Sequence, residues 1–120
     1  MPDKLDSEGF IGDLPPIPED EFCVFGTVVA YPEHADALEA VYAETTRLAT
    51  SEPGTIYYAI CRGSEDRNLF YFFERYAGRK AFEAHNEQPV AQKLIADKLF
   101  KGCKDVHFVR AIGPAAEEAG

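Results

Sequence analysis

A chain of 120 residues is long enough for one domain with a real core and too short for two. Its 46% apolar content is that of a globular protein, and its longest apolar runs stop well short of the ~20 residues a membrane span requires. The net charge of −9 sits mainly at the two ends, where seven acids face one lysine in residues 1–21 and Glu117 and Glu118 mark the tail; the nearly neutral residues 22–112 show no basic nucleic-acid footprint.

Residues 1–21 read as an extended arm. Gly9, Gly12, Pro15, Pro16 and Pro18 forbid a stable helix, while Phe10, Ile11, Leu14 and Ile17 supply apolar anchors. Two readings stay open, a disordered leader and an arm docked on the body or on a partner subunit. The arm has neither a basic leader nor an apolar stretch, so a cytoplasmic protein is expected. Phe22–Tyr31 reads as a first strand. Glu33–Ser51 reads as an amphipathic helix, with Ala35, Leu38, Val41, Tyr42, Leu48 and Ala49 at the helical period, closed by Glu52-Pro53-Gly54. Thr55–Arg62 and Leu69–Tyr76 read as a hairpin across a polar loop. In the first of these strands, alternation puts Ile56, Tyr58 and Ile60 on one face. Gly78–Asn86 is expected to be a short helix, and Pro89 opens another running to Phe100, with Gly102 just past its end. Val106–Ile112 reads as the last strand, before the tail at residues 113–120.

The order β-α-β-β-α-α-β is that of the α+β, ferredoxin-like split βαβ plan, a four-stranded antiparallel sheet with helices on one face. Its most informative segment is Phe70-Tyr71-Phe72-Phe73-Glu74-Arg75-Tyr76. Alternation places Phe70, Phe72, Glu74 and Tyr76 on one face and Tyr71, Phe73 and Arg75 on the other, so both faces are largely aromatic. Helices cover one face of such a sheet, and a second copy in a homodimer is the expected cover for the other. Cys23, Cys61 and Cys103 are widely spaced and odd in number. They fit neither a disulfide framework nor a zinc site and are expected to be reduced, packed as small apolar residues.

Glu52-Pro53-Gly54-Thr55 before the second strand, Phe73-Glu74-Arg75-Tyr76 ending the third, and Ala81-Phe82-Glu83-Ala84-His85 in the next helix resemble the antibiotic biosynthesis monooxygenase family of the dimeric α+β barrel superfamily. The resemblance covers about residues 22–112. It implies homodimers whose sheets pack face to face, with a substrate cavity in each subunit between sheet and helices. Some members oxygenate aromatic quinols or anthrones with O2 and no metal or flavin, others degrade heme or isomerise a small molecule, and many have no known activity. The chain departs from the family in having Tyr76 where Trp is frequent. No His falls near Leu94–Ala96, where heme-degrading members carry a ligand, so heme breakdown by that route is not expected.

Phe72, Glu74 and Tyr76 share a face with the space that Phe82 and His85 can reach, an aromatic slot edged by an acid, a phenol and an imidazole. That combination suits a flat, electron-rich ligand. Among side chains, imidazole most readily changes protonation near neutral pH, which makes His85 the candidate base, with Tyr76 to hold an oxyanion and Glu74 beside them. Against this stands a structural role: His85 bonded to a carbonyl or to Glu74, and Glu74 tied to an arginine or a backbone group. Arg62 could meet an anionic substrate or simply end a solvated strand. Tyr57, Tyr58, Tyr71 and Phe73 read as core or dimer interface. The expected function is a cofactor-independent monooxygenase of a small aromatic or polyketide-like compound, needing no metal, membrane or nucleic acid. The alternatives are a non-catalytic ligand-binding dimer and an isomerase.

Overall fold

The computed structural model describes residues 5–116. The acidic tail residues Glu117 and Glu118 lie outside them. β1 (Phe22–Ala30) passes through a 3-10 turn (Pro32–His34) into α1 (Ala35–Ala49), followed by β2 (Thr55–Arg62), β3 (Leu69–Tyr76), α2 (Arg79–Asn86), α3 (Pro89–Ala96) and β4 (Phe100–Val109). The strands form one antiparallel sheet in the order β2-β3-β1-β4, the ferredoxin-like arrangement that the element order implies. Pro32 suits the first turn of the helical segment because its missing N–H has no partner to lose there. α1 then turns Ala35, Leu38, Thr45 and Ala49 inward. Leu38 is fully buried, which contributes about 2 kcal/mol.

Two boundaries and one stretch of alternation differ from the sequence reading. α3 ends at Ala96 rather than Phe100. Lys98 takes the left-handed conformation (φ 51°), and the chain turns there into β4. Leu94, Ile95 and Leu99 fit a helical period, yet Ile95 is exposed and Leu99 is buried from the turn. β4 accordingly begins at Phe100 rather than Val106, because its backbone pairs with β1 from Ala30↔Phe100 to Cys23↔Val109, with irregularities on the way. Gly102 therefore lies inside a strand instead of capping a helix. In β2, an irregularity between Thr55 and Tyr57 takes Ile56 out of the alternation and leaves it half-exposed.

Alternation in β3 is as expected. Phe70, Glu74 and Tyr76 are buried beneath the helices, while Tyr71 and Phe73 are exposed on the opposite face. There Phe73 stacks on Phe25 (ring centroids 6.3 Å apart, 10° between planes) and meets the edge of Tyr57, and Phe25 also contacts His107. Under the helices the core falls into two clusters. One joins Val28, Leu38, Phe70 and Leu94; the other joins Phe22, Val24, Tyr76, Phe82 and Val106. Phe72 and Cys103 pack against both.

The arm is docked on the body along β4. Ile11 N donates to Cys103 O at 2.9 Å, Phe10 is buried over Gly102, and Ile11 and Ile17 pack on the second cluster. Asp20 pairs with Arg110 at 2.7 Å, and Glu19 pairs with Arg79.

Candidate functional site

A cavity of about 350 Å3 opens along the seam between the two core clusters. Val24 and Phe82 come to it from one cluster, Val28 and Leu94 from the other, and Phe72 crosses between them. Its polar rim consists of Glu74 from β3, Tyr58 from β2, Tyr42 and Thr45 from α1, and His85 and Asn86 from α2. Among the described residues, no lysine or arginine lines it.

His85 is buried (7% exposed), and its Nδ1 donates to Glu52 Oε1 at 2.8 Å. A carboxylate can only accept, so in the neutral ring this bond places the proton on Nδ1 and leaves the Nε2 lone pair for a ligand. Thr55 Oγ1 donates to the same Glu52 oxygen at 2.7 Å, a second bond that holds the carboxylate. The His85 ring lies between two phenols, with centroids 5.0 Å from Tyr58 and 5.6 Å from Tyr76.

Glu74 is buried more deeply than Glu52. Burial pushes its carboxyl above the usual carboxylate value. The Tyr76 hydroxyl, which donates to Glu74 Oε1, and nearby His85 pull it back in part, while Glu52 pushes it up. Burial and the facing carboxylates hold the Tyr58 and Tyr76 hydroxyls well above the ordinary phenol value, and burial with Glu74 pushes the Cys103 thiol up to about 11. Tyr58 OH and Thr45 Oγ1 are 2.8 Å apart, and Thr45 Oγ1 donates to Tyr42 O at 3.0 Å. With its proton committed to the carbonyl, Thr45 accepts from Tyr58, whose free lone pairs can then accept a hydrogen bond from a hydroxylated ligand.

Four of the residues singled out from sequence, Phe72, Glu74, Phe82 and His85, line this one cavity. Tyr76 stands behind them, fully buried, its hydroxyl committed to Glu74 and its ring packed on Phe22, Phe82 and His85. Arg62 lies elsewhere, in a separate groove. Asp36 and Glu39 hold its guanidinium at 2.9 and 2.8 Å, and it sits 5.3 Å from the Phe70 ring. Sequence reasoning missed Glu52, which it read as a helix stop, and Tyr58, which it read as core or interface. Alternation with Ile60 was the one available sign that Tyr58 faces the helices. Among the described residues, no group of three or more His, Cys, Asp or Glu could hold a metal ion.

Comparison with known proteins agrees with this architecture. The model of a family described as antibiotic biosynthesis monooxygenase matches residues 22–97. No curated protein sequence matches the chain. Among solved structures, the chain is similar to PA3566 from Pseudomonas aeruginosa (22% identity, TM-score 0.69, covering 78% of this chain and 96% of that one). It is also similar to Rv0793 from Mycobacterium tuberculosis (21%, 0.66, 80% and 99%) and to a candidate antibiotic biosynthesis monooxygenase from Caulobacter crescentus (19%, 0.68, 81% and 94%). At these identities the likeness establishes the fold.

Proposed function

Because the chain belongs to the antibiotic biosynthesis monooxygenase family, we propose that it is a cofactor-independent monooxygenase of a small aromatic compound of the quinol, anthrone or polyketide type. The observation that carries this reading is the Glu52–His85 pair at the edge of an aromatic-lined cavity. His85 Nε2 removes a proton from the substrate, and Glu52 holds the ring and stabilises the imidazolium that forms. The electron-rich substrate anion passes one electron to O2, the radical and superoxide recombine to form a C–O bond, and the imidazolium returns its proton to the peroxide to give a hydroperoxide. For an anthrone methylene, loss of water then leaves a carbonyl: one oxygen atom stays in the product, the other leaves as water, and the electrons come from the substrate. Glu74, held from behind by the Tyr76 hydroxyl, and Tyr58 bind substrate and product oxygens.

The uncovered aromatic patch of Phe25, Tyr57, Tyr71 and Phe73 supports a two-fold homodimer, the assembly typical of the family. No described helix is long and apolar enough to cross a membrane. An isomerase is the second reading, favoured by the convergence of Glu74 and His85, two proton-handling groups, on one cavity. Oxygen uptake by metal-free protein with a panel of quinols and anthrones, beside His85→Ala, separates these readings. Uptake that depends on His85 supports the oxygenase. Conversion without O2 consumption supports the isomerase, and no conversion by a dimer that still binds the compounds supports a binding protein.

A further inference from the structure

The family match begins at residue 22, so the arm is an addition to the matched domain, yet the arm contributes Leu14 to the lining of the cavity. Its attachments are specific. Asp6 Oδ1 accepts from the backbone N–H groups of Glu8 and Phe10 at 2.9 Å each, and Leu5 bridges Ile11, so the segment before Leu14 is a tight turn of its own. Phe10 lies on Gly102, where a Cβ would come within 2.9 Å of its ring, and Lys104 Nζ sits 4.6 Å from the ring centroid. After Leu14, Ile17 is packed into the core, and Glu19 and Asp20 are ion-paired to the body. The stretch carrying Leu14 is thus tied on both sides. Leu14 is half-exposed and lines both this cavity and a second hollow of about 740 Å3 between the arm and β4.

We propose that Leu14 is a specificity-determining residue: the docked arm forms the outer wall of the cavity, and the Leu14 side chain sets the length of aromatic ligand that fits. The inference rests on the cavity reading above. With Leu14 in place, a two-ring ligand lies within the seam between the core clusters. A third ring has to pass Leu14 toward the hollow beneath the arm. A smaller side chain opens that passage and a larger one closes it, without touching Glu52, Glu74 or His85. The walls beyond Leu14 include Pro15, Pro16 and Ile11, which suit an apolar ring.

The test is the affinity, measured without O2, of two probes, 1-naphthol with two rings and 1,8-dihydroxyanthraquinone with three, for the full-length wild type, Leu14→Ala and Leu14→Phe. Because Leu14 is half-exposed, both variants are expected to unfold at the wild-type temperature. Leu14→Ala should shift the three-ring to two-ring affinity ratio by about tenfold toward the larger probe, the effect expected of a changed apolar wall, and Leu14→Phe should shift it the opposite way. A ratio unchanged in both variants, with both probes still bound, overturns the role of Leu14 and leaves the cavity reading standing. Wild-type protein that binds neither probe overturns the cavity reading and this inference with it.

Discussion

Glu52 and His85 come from different elements, the loop after α1 and the last turn of α2, yet a 2.8 Å hydrogen bond joins them. The loop reaches α2 because Gly54 has no side chain. A Cβ there would come 2.3 Å from that of Ala81, and Gly54 O accepts from Ala77 N at 2.9 Å where the chain leaves β3. The loop and helix that carry the pair are therefore packed directly against each other.

Glu52→Gln retains an oxygen that can accept from Nδ1 but removes the charge that stabilises the imidazolium. Steady-state oxygen uptake should show kcat reduced by about 100-fold with KM little changed, and His85→Ala should lose at least as much. A Glu52→Gln variant with wild-type kcat would show that the pair is only structural.

Gly54→Ala should push α2 away from the loop. Since the obstacle is the Ala81 Cβ, itself fixed on a helix, the expected cost is about 1–3 kcal/mol of stability by urea denaturation. A double variant Gly54→Ala/Ala81→Gly should recover part of it, because the second change removes the atom that the first one strikes.

Glu74 has a raised value in the folded protein, so folding favours its neutral form. This contribution to stability is complete below the ordinary carboxylate value and is lost as pH rises through the folded-state value. As pH rises from the ordinary carboxylate value, wild type should lose more stability than Glu74→Gln, as read from urea midpoints. Parallel losses would mean that Glu74 does not change its ionisation on folding.

Tyr76→Phe separates two roles for the phenol. If the hydroxyl serves Glu74, as the geometry has it, its removal leaves a buried carboxyl short of a donor and costs about 1–3 kcal/mol of stability, while ligand binding persists. A fall in kcat at unchanged stability would instead place the hydroxyl on the reacting oxygen.

Phe73→Glu puts a charge in the middle of the exposed aromatic patch, against Phe25 and Tyr57. Light scattering is expected to find a dimer for wild type and a monomer for the variant. A monomeric wild type at micromolar concentration would leave the patch without its proposed cover.

The fold was legible in the sequence where side-chain period and tertiary packing agree. Alternation along residues 70–76 correctly divides the sheet into a helix-covered and an open face, and the apolar stripe of α1 marks its inward side. Legibility failed where backbone pairing overrides a local pattern. Leu99 and Gly102 look like the end of a helix, but β1 offers Phe100 onward a partner for its hydrogen bonds. In the site, Glu74, His85, Phe72 and Phe82 lie close together in sequence and could be grouped. Glu52 could not be assigned to His85, because no periodic spacing links a loop to a helix on the far side of a hairpin. Tyr76 carries the same alternation signal as Glu74, and the sequence does not show that the one hydroxyl is taken up by the other residue's carboxyl.

Docking of the arm along β4 has a colloidal consequence. β4 is an outer strand of the sheet, with outward N–H and C=O groups able to template another chain. Ile11 occupies one of those carbonyls, that of Cys103, and Phe10 lies flat over Gly102. A short, proline-interrupted segment cannot itself continue the sheet, so it ends strand addition on that side instead of passing it on.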